Sequence, residues 1–321
     1  MTYLVLAGGL SHERDVSLRS GRRVLDALRG VGVEADLRDA DAGLLDVLAD
    51  GAYDAVLVAL HGGPGEDGAL REVLELAGVP YVGPTPSACR MAWDKPTAKA
   101  LAVRAGLSTP HAAVLPHATF RELGAGAVIE RLVKHLGLPL MVKPARGGSA
   151  LGATAVHEAE GLPSAMVTCF SYGEAALVEQ LVVGTELAVT VVEDGGPARA
   201  LPAVEIRPLD GVYDYAARYT AGQTEFFAPA RLDDAVAAEV ARVAVTAHQA
   251  LGLRDLSRVD LVLADDGTPQ LLEVNVSPGM TETSLLPMAV EAAGLSFGEL
   301  LRDLLRQAAV RGWAAPAPGE R

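Results

Sequence analysis

The chain has 321 residues, half of them apolar, with 27 basic against 41 acidic side chains and a formal net charge of −14 at pH 7. That length supports two or three compact lobes, and the apolar content excludes an intrinsically disordered chain. The acidic balance argues against nucleic acid or an anionic membrane as a partner, since both reward a basic surface, but it leaves room for a phosphate ligand held by a few local cations. Cys89 and Cys169 stand far apart without ligand spacing, so neither a disulfide framework nor a zinc site is expected. The opening Met1–Gly9 reads as a buried strand and not as an export signal, and no run approaches the roughly eighteen apolar residues of a membrane span. A cytoplasmic location is the expectation.

In chain order, Tyr3–Ala7 reads as a strand and Leu18, Gly21, Leu25 and Leu28 mark one helix face. Ala55–Leu60 is a second apolar run, followed by glycines and a helix with Leu70, Val73, Leu74 and Ala77 inward; Val79–Gly83 returns as a strand. This alternation predicts a parallel sheet with ligands at the carboxyl ends of its strands, and Gly83-Pro84-Thr85-Pro86 closes the lobe. Helices over Lys95–Ala105 and Val128–His135 precede a strand at Leu138–Lys143, a glycine-rich turn at Arg146–Gly152 and a strand at Ala153–Val156. Strands dominate from Ala175 to Val192, and Tyr213–Thr224 reads as an ordered polar loop. A helix with Val236, Val240, Val243, Ala247 and Leu251 on one face leads into a hairpin and a last helix, and Ala314–Arg321 reads as a frayed tail.

Gly63-Pro64-Gly65-Glu66-Asp67-Gly68 fits the spacing of a dinucleotide fingerprint between a strand and a helix. Glu66 and Asp67 fall where a pyrophosphate would meet the helix N-terminus, and two carboxylates there repel it. A glycine turn with acidic helix-start residues is the better reading, and NAD binding is not expected.

The hairpin Arg258–Asn275 carries more information. With Asp266-Gly267 as a two-residue turn, Asp260 lies opposite Glu273 and Arg258 opposite Asn275, all four on one face, with Val259, Leu261, Leu272 and Val274 on the other. Facing carboxylates repel in an empty sheet, and a hard divalent cation reverses that sign. A solvated polar face with an Arg–Asp pair is the other reading, and a three-residue turn would slip the register. Lysine is scarce: Lys95, Lys99, Lys134 and Lys143 are the only four among the 27 basic residues, so each marks a place where a compact ammonium has a specific use.

Several blocks resemble the D-alanine–D-alanine ligases of the ATP-grasp superfamily. They are Gly8–Ser17, His61–Gly68, Asp94-Lys95, Val142-Lys143-Pro144, Tyr213–Tyr219 and Glu273-Val-Asn275-Val-Ser-Pro-Gly279-Met, in the family's order from residue 7 to residue 287. The resemblance implies an α/β ATP-grasp fold, with a Rossmann-like parallel-sheet lobe (1–86) followed by a small central lobe (87–175) and a C-terminal lobe (176–321) that clamp ATP. It implies ATP and Mg²⁺ as cofactors, with two ions expected and Mn²⁺ able to substitute, small-molecule substrates and a homodimer. On it, Lys95, Lys143 and Arg218 meet the ATP phosphates. Glu179, Gln180 and Val182 form the adenine hinge, and Glu186 holds the ribose. Asp260, Glu273 and Asn275 hold the metal. Arg258 and the Gly279 N–H stabilise the oxyanion, and Glu13 holds the first amino acid's ammonium. Ser149 and Tyr219 organise the closing loops, Ser284 and Leu285 form the second substrate's pocket, and His61 lies beside it. The activity implied is formation of D-alanyl-D-alanine for the cell wall through an acyl phosphate.

Three positions depart from the family pattern. Arg218 replaces the usual lysine, Ala150 replaces a serine, and Gly147 replaces a residue that is commonly polar. Other readings are a paralogue that joins D-serine, D-lactate or a specialised precursor, and an ATP-binding protein without turnover.

Overall fold

The structure is a computed structural model and describes residues 1–209 and 222–312. The loop expected at Tyr213–Thr224 therefore lies largely outside the described residues, as do Arg218, Tyr219 and the tail Ala314–Arg321.

Three sheets organise the molecule. The first holds β1 (Tyr3–Ala7), β2 (Ala35–Asp39), β3 (Ala55–Val58) and β4 (Tyr81–Val82), all parallel in the order β2-β1-β3-β4. β1 and β3 are buried at every position, which is why they read as unbroken apolar runs. β2 lies at the sheet's edge with alternating exposure, so its Leu37-Arg38-Asp39 sequence gives no apolar run. The following helix Ala69–Leu76 buries Leu70 and Leu74 as expected; Ala77 lies past its end and is exposed, and Arg71 is buried in its place. The Arg71 guanidinium reaches the carbonyls of Gly65 at 2.5 Å and Val276 at 3.3 Å, tying this lobe to the last hairpin.

The second sheet, in the order β5-β8-β6-β7, is antiparallel and built from β5 (Ala112–Pro116), β6 (Leu140–Pro144), β7 (Thr154–Val156) and β8 (Ala175–Gln180). In β6 Leu140 and Val142 enter a core shared with the helices Ala125–Leu136 and Leu162–Phe170, while Met141 and Lys143 face a cleft on the other side. Across that cleft lies the third sheet. Its strands are β9 (Gly184–Val192), β10 (Arg199–Ala200), β11 (Val204–Pro208), β12 (Thr224–Phe227), β13 (Leu256–Ala264) and β14 (Pro269–Asn275). Leu181–Val183 joins β8 to β9 at the cleft's base.

Packing crosses the sequence. Ala88, Cys89, Ala98 and Ala102, from the helices Pro86–Trp93 and Lys95–Arg104, share a core with Leu187, Val189, Val259 and Val274 of the third sheet. The last helix, Phe297–Arg311, returns to the first sheet, where Leu301, Leu304 and Leu305 pack with Tyr3, Val5 and Leu57. It approaches the helix Arg14–Gly30 so closely at Gly298 that a Cβ there would lie 2.4 Å from the Ala27 carbonyl oxygen.

One fully buried carboxylate fixes these parts together. Asp255, just before β13, has left-handed backbone (φ +63°) and takes Arg311 through both oxygens at 2.8 Å and the Gly83 N–H at 2.8 Å. Removing one partner of such a pair strands the other. Asp255→Ala should therefore lower stability by about 3 kcal/mol, read as a drop of several degrees in the thermal midpoint. Asp255→Asn, which tolerates the same φ, should lose less.

Candidate active site

The hairpin β13–β14 carries the centre of the site, and its register differs from the simplest expectation in an informative way. Asp260 does face Glu273, and Arg258 faces Asn275. The turn, however, is one residue longer than Asp266-Gly267. Ala264 and Thr268 close it, with the Gly267 N–H on the Ala264 carbonyl at 2.8 Å, so near the turn Leu261 pairs with Leu271 and Leu263 with Pro269. A β-bulge between these two registers absorbs the extra residue and restores the expected pairing at Asp260. It also exchanges two leucines: Leu271 takes the core position beside Val259, Leu261 and Val274, and Leu272 turns to the cleft together with Glu273.

The two carboxylates are each matched by a cation. Arg258 holds Asp260 in a bidentate pair, both contacts at 2.7 Å, and the Lys95 ammonium lies 3.4 Å from Glu273 while donating to the Gly147 carbonyl at 2.5 Å. Asn275 accepts the Ser277 N–H at 2.7 Å through its side-chain oxygen. Among the described residues no group of three His, Cys, Asp or Glu side chains could hold a metal ion. The set on offer is instead two carboxylates and an amide oxygen. These are hard donors suited to Mg²⁺, which completes its shell with phosphate oxygens and water.

Two clefts meet here, and Glu273 and Leu285 line both. The first, about 160 Å³, lies between the second and third sheets and collects Lys95, Lys143, Glu179, Gln180, Val182, Glu186 and Asp260. Glu179 is almost fully buried, and its two oxygens take Lys99 on one side and Lys143, at 2.5 Å, on the other. Burial pushes this carboxyl up, but the two ammoniums outweigh it and hold it below the usual glutamate value. Burial lowers the Lys99 ammonium against the pull of Glu179. Gln180 donates to the Leu136 carbonyl at 2.8 Å. Lys134, by contrast, sits on an exposed helix face.

The second cleft, about 470 Å³, gathers Glu13, His61, Ser149, Arg258, Asn275, Gly279 and Ser284. Ser149 donates to Glu13 from the glycine-rich turn, where Ser149 (φ +50°) and Ala150 (φ +56°) both hold left-handed backbone. Such strain in non-glycine residues concentrates at functional loops. Gly62 must be glycine, because its φ is +66° and a Cβ would lie 2.4 Å from a Glu13 oxygen. His61 is buried between lobes: Nε2 meets the Ser20 hydroxyl at 2.8 Å and Nδ1 the Ser277 carbonyl at 2.9 Å. Burial lowers its pKa, so the ring is neutral near pH 7, with Nδ1–H donating to Ser277. Ser20 also accepts the Met280 N–H at 3.2 Å, so the histidine steadies the segment that carries Gly279. Ser284 is bonded to Thr281 and leaves no room for a side chain at Gly279, where a Cβ would lie 2.8 Å from its hydroxyl.

Every described residue to which the resemblance gives a site role thus lines one of the two clefts, while Arg218 and Tyr219 fall outside the described residues. Two residues of the site were missed, Lys99, which pairs with Glu179 of the first cleft, and Glu66 of the second. Lys99 was signalled by lysine scarcity. Glu66 was read as a helix-start acid, but its carboxylate is buried in the second cleft and accepts the Gly62 N–H at 2.7 Å. The chain's own carboxylate thus occupies the anion position of the supposed dinucleotide turn.

A family model described as D-ala D-ala ligase C-terminus matches residues 101–306. A D-alanine–D-alanine ligase of Bordetella petrii is 43% identical over 307 residues, spanning 96% of this chain and 92% of its own. The chain belongs to the D-alanine–D-alanine ligase family. An Anaeromyxobacter dehalogenans member is 42% identical, with 96% of each chain covered. Among solved structures, the VanG D-Ala:D-Ser ligase of Enterococcus faecalis matches with a TM-score of 0.81 at 27% identity over 96% of this chain and 99% of its own. The Bacillus anthracis D-alanine–D-alanine ligase complexed with ATP matches at 0.77 and 28%, covering 97% of each chain. Ligases whose names differ in substrate therefore share this ATP-grasp fold.

Glu66 supplies a test of the cleft's electrostatics. Burial first, then the nearby Glu13 carboxylate, pushes its pKa from 4.5 up to about 7. The folded state therefore binds this proton more tightly than the unfolded state, and stability is lost as pH rises from 4.5 through about 7. Glu66→Gln should stabilise the ligand-free protein at pH 8 by on the order of 3 kcal/mol, and the gain should vanish below the unfolded value. Thermal melts across that range would show a pH-independent difference if Glu66 were an ordinary solvated acid.

Proposed function

We propose that the protein is an ATP-dependent ligase that joins two D-alanines into D-alanyl-D-alanine through a D-alanyl phosphate, releasing ADP and phosphate. On this reading the dipeptide is made in the cytoplasm for peptidoglycan precursors. The observation that carries the proposal is the facing Asp260–Glu273 pair, with Asn275 on the same hairpin, where the two clefts join. The relative complexed with ATP supports the nucleotide as the first cleft's ligand. Mg²⁺ at Asp260, Glu273 and Asn275, as two ions or with Mn²⁺ in their place, would supply charge neutralisation for the transferring phosphoryl group.

The chain's own residues do the rest. Lys95 and Lys143 bring ammoniums to the phosphates, Gln180 and Val182 border the adenine, and Glu186 accepts from the ribose. Glu13, organised by Ser149, pairs with the first D-alanine's ammonium and so turns its carboxylate toward the phosphoryl group. When the second amine attacks, negative charge grows on the carbonyl oxygen. Arg258 and the Gly279 N–H answer it, a kind of contact worth about a hundredfold or more in rate. Ser284 and Leu285 receive the second D-alanine's carboxylate and small side chain, and neutral His61 keeps the Gly279 segment in place. Arg218 and Tyr219 are assigned to the closing loop from the resemblance alone. Lobes at 1–86, 87–175 and 176–321 and assembly as a homodimer belong to the same proposal.

The test is incubation of purified protein with ATP, Mg²⁺ and D-alanine, with dipeptide followed by mass spectrometry and phosphate release by colorimetry. Dipeptide should form. Glu273→Gln should melt normally and lose roughly a thousandfold in turnover, several kcal/mol of transition-state stabilisation. Phosphate release driven by D-serine or D-lactate with no D-alanyl-D-alanine would replace the substrate assignment, and near-normal turnover in Glu273→Gln would refute the metal site.

A further inference from the structure

The lysine scarcity left Lys99 without a use, and its placement supplies one. It lies four residues after Lys95 on the helix Lys95–Arg104, so both side chains leave the same buried face, Lys95 into the first cleft and Lys99 onto Glu179, which lines it. Lys99 is buried, with its charged end on one oxygen of Glu179. Glu179 stands on β8 opposite Met141, which puts Lys143 two residues along the neighbouring strand on the same face and its ammonium 2.5 Å from the other Glu179 oxygen. A long side chain buried for packing alone would not carry its charge into this position, because desolvating an ammonium is expensive.

The charge count explains the arrangement. Glu179 and Lys143 alone would form a closed, neutral pair, and a phosphate beside Lys143 would meet a charge already cancelled. With Lys99 present, two ammoniums share one carboxylate and the trio keeps one unit of positive charge in a partly desolvated cleft, where it acts strongly. We infer that Lys99 is a positioning residue for nucleotide phosphate: by occupying one oxygen of Glu179 it keeps that carboxylate from neutralising Lys143. The inference rests on the ligase reading for the identity of the ligand.

Titration calorimetry with Mg–ATP on the wild type, Lys99→Met and the charge-keeping Lys99→Arg tests it, together with steady-state kinetics. Lys99→Met should weaken ATP binding by about tenfold or more and raise KM for ATP in step, with KM for D-alanine and kcat at saturating ATP near wild type. Lys99→Arg, which returns a cation to Glu179, should recover ATP affinity to within about threefold of wild type. Unchanged ATP affinity in Lys99→Met overturns the inference. So does a loss that Lys99→Arg does not repair, or a fall in kcat with both KM values unchanged, since either marks a packing role. A wild type that binds no ATP overturns the ligase reading and this inference with it.

Discussion

Two carboxylates held face to face across a β-hairpin are the constraint on which the site depends. Asp260 and Glu273 would repel each other in an isolated sheet, and the fold offsets the repulsion by bringing a cation to each from a different direction. Arg258 comes from two residues back on the same strand, and Lys95 from the start of a helix packed under the third sheet. The pairing also needs the strand register to be right, because a slip of one residue would carry Glu273 and Asn275 to the apolar face. The three-residue turn produces that slip and the bulge at Leu272 reverses it. Irregular geometry at this point therefore follows from the need to face oxygen donors into the cleft.

The same logic governs charge at larger scale. A chain with net charge −14 that handles an anionic nucleotide cannot rely on its overall field. Three of its four lysines instead stand in or beside the first cleft, where low solvent access strengthens each charge. Next door, Glu13, Glu66 and Arg258 line the second cleft, and on the proposed reading Glu13 meets the ammonium of an amino acid. Arg71 on Val276, Arg311 on Asp255 and His61 on Ser277 tie parts of the chain far apart in sequence together around the junction of the two clefts.

Much of this was legible in the sequence, and the exceptions have physical causes. β1 and β3 were readable because strands buried on both faces are apolar throughout, and β2 was not, because an edge strand may be polar. The facing of Asp260 and Glu273 was readable from alternation. The bulge was hidden because Leu271 and Leu272 are the same residue type, so the pattern looks alike whichever leucine enters the core. The longer turn is set by a local contact, Asp266 accepting the Thr268 N–H at 2.9 Å, which composition does not reveal. Glu66 was misread because an acid near a helix start is ordinarily solvated, and only the folded lobes bury it. Lys99 was marked by rarity, yet its partner Glu179 lies eighty positions away on another sheet, a distance that pattern reading does not bridge.

The most direct test of the central claim is a crystal structure with ADP and Mn²⁺, located by its anomalous scattering. The account predicts a Mn²⁺ peak within direct coordination distance of oxygens of Asp260, Glu273 and Asn275, with the nucleotide in the cleft lined by Lys95 and Lys143. A peak away from the β13–β14 hairpin, or a nucleotide seated in the Glu13–Ser284 cleft, would contradict it.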